Sequence, residues 1–220
     1  MRASSVSNES PTALACTRLE APRSRPIWSS MEPGRSRCRC SGAGGGERRP
    51  RPARVTVNEF LQSFSNPAIY AAGDVSATAG PPLTPVAGYE GSIVAANILE
   101  GNRRKPDYAG IPSVVFSIPN LASVGLGVEA ARERKLKFRV NHQSTENWYS
   151  SRRTAEMHTG FKVLIEEGTG KILGAHLLGA QAEELANIFA LAIRLGLGKS
   201  DLERAIFAYP SHASDLSYML

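Results

Sequence analysis

Beyond residue 54 this 220-residue chain has no cysteine: Cys16, Cys38 and Cys40 all lie before it. Residues 55–220 therefore depend on no disulfide and offer no thiol, and a C-x-x-x-x-C redox pair is absent from the whole sequence. In the leading stretch, a Cys-x-Cys pair with one further cysteine and no nearby histidine lacks a fourth ligand and the usual two-residue spacer, which sets a metal site aside. No G-x-G-x-x-G follows a strand, since the glycines of SGAGGG sit among arginine and proline without strand or helix context. No apolar run approaches the roughly 20 residues that a bilayer-crossing helix needs, so no membrane association is expected. Lysine is missing from residues 1–54, where 11 arginines face 4 acidic residues, whereas residues 55–220 hold 15 basic and 16 acidic ones. The pI near 9.5 thus originates in the leading stretch. A basic surface is not expected on the remainder, and nucleic-acid binding loses its electrostatic basis. The single aromatic of the leading stretch, Trp28, gives its arginines little stacking capacity.

What is present divides into three stretches. Residues 1–54 carry Pro, Ser, Arg and Gly in clusters with no sustained period and are expected to be a disordered tail. The Arg and Ser content faintly resembles an organelle transit peptide, with Glu9, Glu20 and Glu32 counting against it, and an unrelated sequence joined to a truncated reading frame fits equally. The compartment stays open between cytoplasm and organelle. From Val55, VTVNEFLQSFSNPAIYAA gives an alternating start, a polar link and an expected strand Ala68–Ala72. Thr84 is placed to cap a helix over residues 85–100, with Pro85 at its first position and Gly101 after its last turn. Val86, Tyr89, Ile93 and Ala96 form one apolar stripe and Val94, Ala95, Ile98 and Leu99 another, which predicts a mostly buried helix.

The polar run 101–110 marks a domain boundary near residue 105. Beyond it SVVFS, SVGLGV and KFRVN read as strands around a charged helix at EAARERK. FKVLIEE and ILGAHLLG flank Gly168-Thr169-Gly170 and predict an antiparallel hairpin. Residues 181–196 place Leu185, Ile188, Phe189, Ala192 and Leu195 on one face and end at Gly196, an amphipathic helix with a glycine cap. A short helix SDLERAIF is expected to open on Ser200, with Glu203 closing a capping box.

The most chemical feature is Gly73-Asp74 at the end of the expected strand, followed by the helix start at Thr84-Pro85. A carboxylate there accepts hydrogen bonds from ligand hydroxyls, and the neighbouring helix start offers free amides and the positive end of its dipole. AAGD at 71–74, LTPVA at 83–87, VVFSIPNLASVGLG at 114–127, GTGKILGAHLLG at 168–179 and EELANIFALAIRLGL at 183–197 occur in that order. Together they resemble the carboxy-terminal part of the pyridine nucleotide-disulfide oxidoreductases, the family of glutathione reductase, dihydrolipoamide dehydrogenase and mercuric reductase. The resemblance runs from about Val57 to Leu220. It implies FAD as cofactor, with Gly73 and Asp74 on its ribityl or pyrophosphate side and the backbone of Leu83, Thr84, Pro85, Val86 and Ala87 facing the isoalloxazine. It also implies NAD(P)H as electron donor, although the domain for that nucleotide and the amino-terminal FAD half are missing from the sequence.

The carboxy terminus departs from the family pattern. Where the disulfide-reducing members read His-Pro-Thr with a Glu five residues after the His, this chain reads Tyr209-Pro210-Ser211-His212, and Asp215 comes six residues after Tyr209. The resemblance implies catalytic roles at Tyr209, His212 and Asp215. A tyrosine, titrating near 10, donates a hydrogen bond but makes a poor base at neutral pH, and His212 is the substitute. Loss of the cysteine pair and of the histidine points to a quinone or another acceptor in place of a disulfide. The chain ends Ser217-Tyr218-Met219-Leu220 without the terminal cysteine pair of mercuric reductases, so mercury reduction is not expected. The expected fold is α/β (α+β): a partial FAD-binding segment over 55–105 and a dimerisation domain of antiparallel sheet and helices over 106–220. The expected assembly is a homodimer or a pairing with a full-length paralogue. The alternative function is a dimerisation module without catalysis.

Overall fold

The computed structural model describes residues 54–220; the expectations for the tail lie outside the described residues. Five strands, β1 (Ser113–Val115), β2 (Leu121–Gly125), β3 (Phe138–Ser144), β4 (Gly160–Glu166) and β5 (Ile172–Leu178), form one sheet in the order β1-β2-β5-β4-β3. Every neighbouring pair is antiparallel. The expected hairpin joins β4 to β5, and Gly168 and Gly170 take the left-handed backbone conformation its loop requires, with φ of 85° and 70°.

The sheet buries one face against α4 (Ala182–Leu195). Alternate residues Phe161 and Val163 of β4 and Ala175 and Leu177 of β5 join Leu185, Ala186 and Phe189 in one core. Strand periodicity of two and helix periodicity of 3.6 meet there, and each large side chain so buried contributes about 1.5–3 kcal/mol. Ala182, Ala186 and Ala190 are buried between the larger residues and let the helix lie close to the strands. Leu195, on the same apolar face by sequence, is 68% exposed, and Leu191 is exposed too; the part of the face that packs on the sheet is narrower than the whole apolar pattern. Gly196 caps the helix at φ 69°, and the Leu197 amide donates to the Ala192 carbonyl at 2.8 Å.

Three shorter helices complete this part: α2 (Val128–Glu133), α3 (Tyr149–Arg153) and α5 (Lys199–Arg204). The charged helix α2 matches its sequence signal, while α3 carried none. α5 opens on Gly198, not Ser200, and Asp201 rather than Glu203 closes its first turn by accepting from the Gly198 amide at 2.9 Å. Glu203 pairs with Lys199 at 3.0 Å instead.

Ahead of the sheet, α1 spans Thr84–Glu100, with Leu83 before it, Pro85 in its first turn and Gly101 behind it. The boundary differs from the expected one by a single residue. Its second apolar stripe is not covered: Ile98 is 61% and Leu99 84% exposed. The buried line runs Val86, Glu90, Ile93, Asn97 and includes two polar side chains. Residues Ala68–Ala72 do not form the expected strand; this region has only isolated bridges, Val55 to Ser76, Val57 to Ser63 and Gln62 to Tyr70. A ladder needs partners on its flank, and the described residues supply one bridge at a time.

Candidate functional site

At the Gly73–Val75 turn the chain meets α1. Gly73 has φ +72°, and a Cβ placed on it would lie 2.9 Å from the Cβ of Ala87, so only glycine fits this approach. The Ser76 amide and hydroxyl both donate to the Gly73 carbonyl, at 2.9 and 2.7 Å. Asp74 is exposed at the outer side of the turn. Across from it Thr84 and Pro85 are exposed, Leu83 and Ala87 half-buried and Val86 buried. The Ala87 amide is tied to the Leu83 carbonyl at 3.0 Å. Pro85 has no amide hydrogen, so Thr84 and Val86 are the amides at the positive end of the helix.

The turn is held by a group that sequence reasoning missed. Glu90, 0% exposed, accepts from the Gly73 amide at 2.6 Å, Ser76 Oγ at 3.2 Å, Thr78 Oγ1 at 2.8 Å and the Tyr108 hydroxyl at 2.5 Å. Burial pushes its carboxyl upward, but these four donors outweigh that and hold it below the ordinary glutamate range. Burial, followed by the bond to Glu90, pushes the Tyr108 phenol up to about 12. Asn97, 1% exposed, secures the rear of the helix. Its amide donates to the Phe60 and Arg104 carbonyls at 3.0 and 2.8 Å, and its oxygen accepts from the Arg103 and Arg104 amides at 3.1 and 2.8 Å. The available signal was a lone acid and a lone amide on the line of Val86 and Ile93.

Beside the start of α1 lies a groove of about 360 Å³ lined by Pro85, Val86, Tyr89, Asp107, Pro112 and Arg194, among others. Tyr89 accepts from the Asp107 amide at 2.8 Å, and Arg194 donates to the Ala109 carbonyl at 3.0 Å, tying the 101–112 linker to both helices.

The carboxy-terminal residues form a separate corner. His212 and Asp215 line one small cavity of about 30 Å³ with Trp148, Ser150, Ser151 and Met219. That volume suits a water molecule. His212 also borders a wider groove of about 480 Å³ with Arg153, Gln181 and Glu184. Burial holds the His212 imidazole below its ordinary range, opposed by the negative charge of Asp215 and assisted by Arg153. Ser150 Oγ donates to Asp215 in a short bond, and Thr145, Ser151 and Thr159 share buried hydroxyl contacts at 2.9 and 3.0 Å. Tyr209 stands apart: it is 78% exposed and stacks on Tyr149 with ring centroids 6.3 Å apart. Among the described residues no group of three His, Cys, Asp or Glu is arranged to hold a metal ion, and no helix is long and apolar enough to cross a membrane.

Residues 111–219 match the family model described as the pyridine nucleotide-disulphide oxidoreductase dimerisation domain. The chain is 49% identical over 166 residues to an uncharacterized 19.7 kDa protein in a mercuric resistance operon of Staphylococcus aureus, covering 76% of this chain and 92% of that one. It is 33% identical over 162 residues to a mercuric reductase of Lysinibacillus sphaericus, covering 74% of this chain but only 29% of the reductase. Among solved structures it resembles a variant of the HOCl-induced flavoprotein disulfide reductase of Escherichia coli in its Cu(II) complex. The TM-score there is 0.67 at 30% identity, over 76% of this chain and 37% of that one. The chain thus spans nearly all of a short relative and about a third of the longer reductases. On the family model, the relatives and the shared fold, it belongs to the pyridine nucleotide-disulphide oxidoreductase family.

Proposed function

We propose that this chain is a carboxy-terminal part of an FAD-dependent NAD(P)H oxidoreductase, with residues 55–105 forming one wall of the flavin site and residues 106–220 the dimerisation domain. The observation that carries this reading is the contact of Gly73 with Ala87, which puts the Asp74 turn and the start of α1 at one corner. Such a corner fits a flavin in two respects. An exposed carboxylate accepts bonds from ligand hydroxyls, and the Thr84 and Val86 amides with the helix dipole suit an electron-rich ring edge, by about 0.3–1 kcal/mol when exposed. Bound flavin would supply two-electron chemistry between NAD(P)H and an acceptor. The chain's own residues would bind it, orient it and exclude water from one side. With one wall only, binding to this chain alone is expected to be weak, because most of the ligand stays in water.

The His212–Asp215 corner suits proton handling at neutral pH better than Tyr209 does. Purified protein should show flavin absorption bands, or gain thermal stability on adding FAD, and should run as a dimer. Protein that stays colourless, unshifted by millimolar FAD and monomeric would refute the reading.

A second reading, a dimerisation module without catalysis that pairs with itself or with a full-length paralogue, is favoured by the short relative of which the chain spans 92%. A stable dimer with no flavin response supports it over the first.

A further inference from the structure

We infer that Glu90 is a positioning residue for the proposed flavin wall: its carboxylate fixes the turn that presents Asp74 beside the start of α1. The inference rests on the flavin reading above and adds to it the group that makes the corner rigid. Each carboxylate oxygen takes two donors. Oε2 accepts from the Gly73 amide and, at longer range, from the Ser76 hydroxyl hydrogen that is shared with the Gly73 carbonyl, and Oε1 from Thr78 Oγ1 and the Tyr108 hydroxyl. These donors come from the turn, from the loop behind it and from the linker after α1, so one side chain in the second turn of the helix gathers three segments. Asp74 lies between two of the anchored residues, Gly73 and Ser76, so the backbone that carries its carboxylate is held by theirs.

The energetics argue against a merely space-filling role. Glu90 is 0% exposed and all four of its partners are neutral. Burying a carboxylate without a counter-ion is costly, and an apolar residue of similar volume would fill the same space at less cost if nothing else were needed. What an apolar residue lacks is an acceptor for the Gly73 amide, which is aimed at Glu90 Oε2. Left without an acceptor, a part-buried amide of this kind drives the turn to rearrange toward water.

The chemistry of the donors gives a discriminating test on the whole chain. Ser76, Thr78 and Tyr108 carry hydroxyls that either donate or accept, whereas the Gly73 amide only donates. Glu90→Gln therefore keeps all four contacts, with its carbonyl oxygen toward Gly73 and its amide toward Thr78 and Tyr108. Glu90→Leu keeps none. Expected FAD dissociation constants are within about threefold of wild type for the Gln variant and at least about tenfold weaker for the Leu variant. Asp74→Ala should add little further loss in the Leu background, because Asp74 is already misplaced there. Amide hydrogen exchange supplies a readout that needs no flavin: Gly73 should lose protection in the Leu variant while β4 and β5 keep theirs.

If wild type binds FAD and Glu90→Leu binds it equally, the positioning role is overturned and the flavin wall stands. A full additional loss from Asp74→Ala in the Leu background also overturns it, as does loss of protection throughout the sheet. Should wild type bind no FAD even at millimolar concentration, the flavin reading itself fails and takes the positioning role with it, whatever the exchange pattern shows.

Discussion

Gly73 and Ala87 approach so closely that the hydrogen on the glycine Cα is the largest group the contact admits, with 2.9 Å between a would-be Cβ and the alanine Cβ. Gly73→Ala therefore meets two penalties: a left-handed backbone, about 1–2 kcal/mol for a non-glycine residue, and a clash with the helix. Gly168 separates them. It has φ +85° with nothing within 4 Å, so Gly168→Ala meets the backbone cost alone. The turn variant is expected to lose flavin response and proteolytic protection over 70–80, while the hairpin variant loses a little stability and keeps both. Equal behaviour of the two variants in limited proteolysis would show that the 73–87 contact is not rigid.

The α4–sheet core sets the stability of the larger part. Phe189 is 0% exposed and joins Phe161 and Leu185 in the core, whereas Leu195, one and a half turns on, is 68% exposed. Phe189→Ala is expected to cost about 3–5 kcal/mol in chemical denaturation. Leu195→Ala should change the monomer by no more than about 0.5 kcal/mol. A large cost at Leu195 that scales with protein concentration would place that residue in the interface between protomers.

How much of this was legible depends on where the information lies. The β4–β5 hairpin was readable because its signals are local: alternating apolar residues and the glycines at 168 and 170. The same holds for α4, whose stripe is mostly aliphatic and whose cap is a glycine. The Gly73-Asp74 corner was legible as a pattern, but its fastening was not. Glu90 and Asn97 sit on the buried line of α1 at helical spacing, and a search for apolar stripes passes over polar residues. Their partners, Tyr108 on one side and Phe60 on the other, lie 18 and 37 residues away. The short bond from Ser150 to Asp215 spans 65 residues, beyond any local rule. The strand expected over Ala68–Ala72 failed for the converse reason, since its composition suits a ladder that the described residues do not complete.

His176 on β5 predicts how the sheet responds to acid. It is 5% exposed, and its Nε2 lies 3.2 Å from the Leu126 carbonyl. A carbonyl only accepts, so Nε2 carries the hydrogen and Nδ1 is left as a buried acceptor without a partner. Burial lowers its pKa below the ordinary value near 6.5, opposed by the Leu126 bond and assisted by Lys162. The unfolded chain then takes up a proton first as pH falls. Stability is full above about pH 6.5 and is lost progressively below it, toward the depressed folded value. His176→Gln keeps a donor for Leu126 and does not titrate, so its melting temperature should fall less than wild type between pH 7.5 and 5.5. Parallel slopes for the two proteins would exclude His176 as the source.

The same titration logic tests the carboxy-terminal corner, where the charges of Asp215, Arg153, Glu156 and Glu183 compete over one imidazole. His212 is held low by burial, raised by Asp215 and lowered by Arg153. Removing the opposing charge in Asp215→Asn should drive the His212 pKa further down, and Arg153→Ala should bring it back up. Ring-proton chemical shifts followed by NMR from pH 4 to 8 read both directions in the whole chain. If Asp215→Asn leaves the His212 midpoint where it was, the carboxylate does not act on the imidazole, and the bond it accepts from Ser150 is its whole role. If the midpoint falls, His212 and Asp215 form a coupled pair. On the proposed oxidoreductase reading, the rising limb of a pH–rate profile should then shift to lower pH in the same variant, while Tyr209→Phe leaves that limb in place.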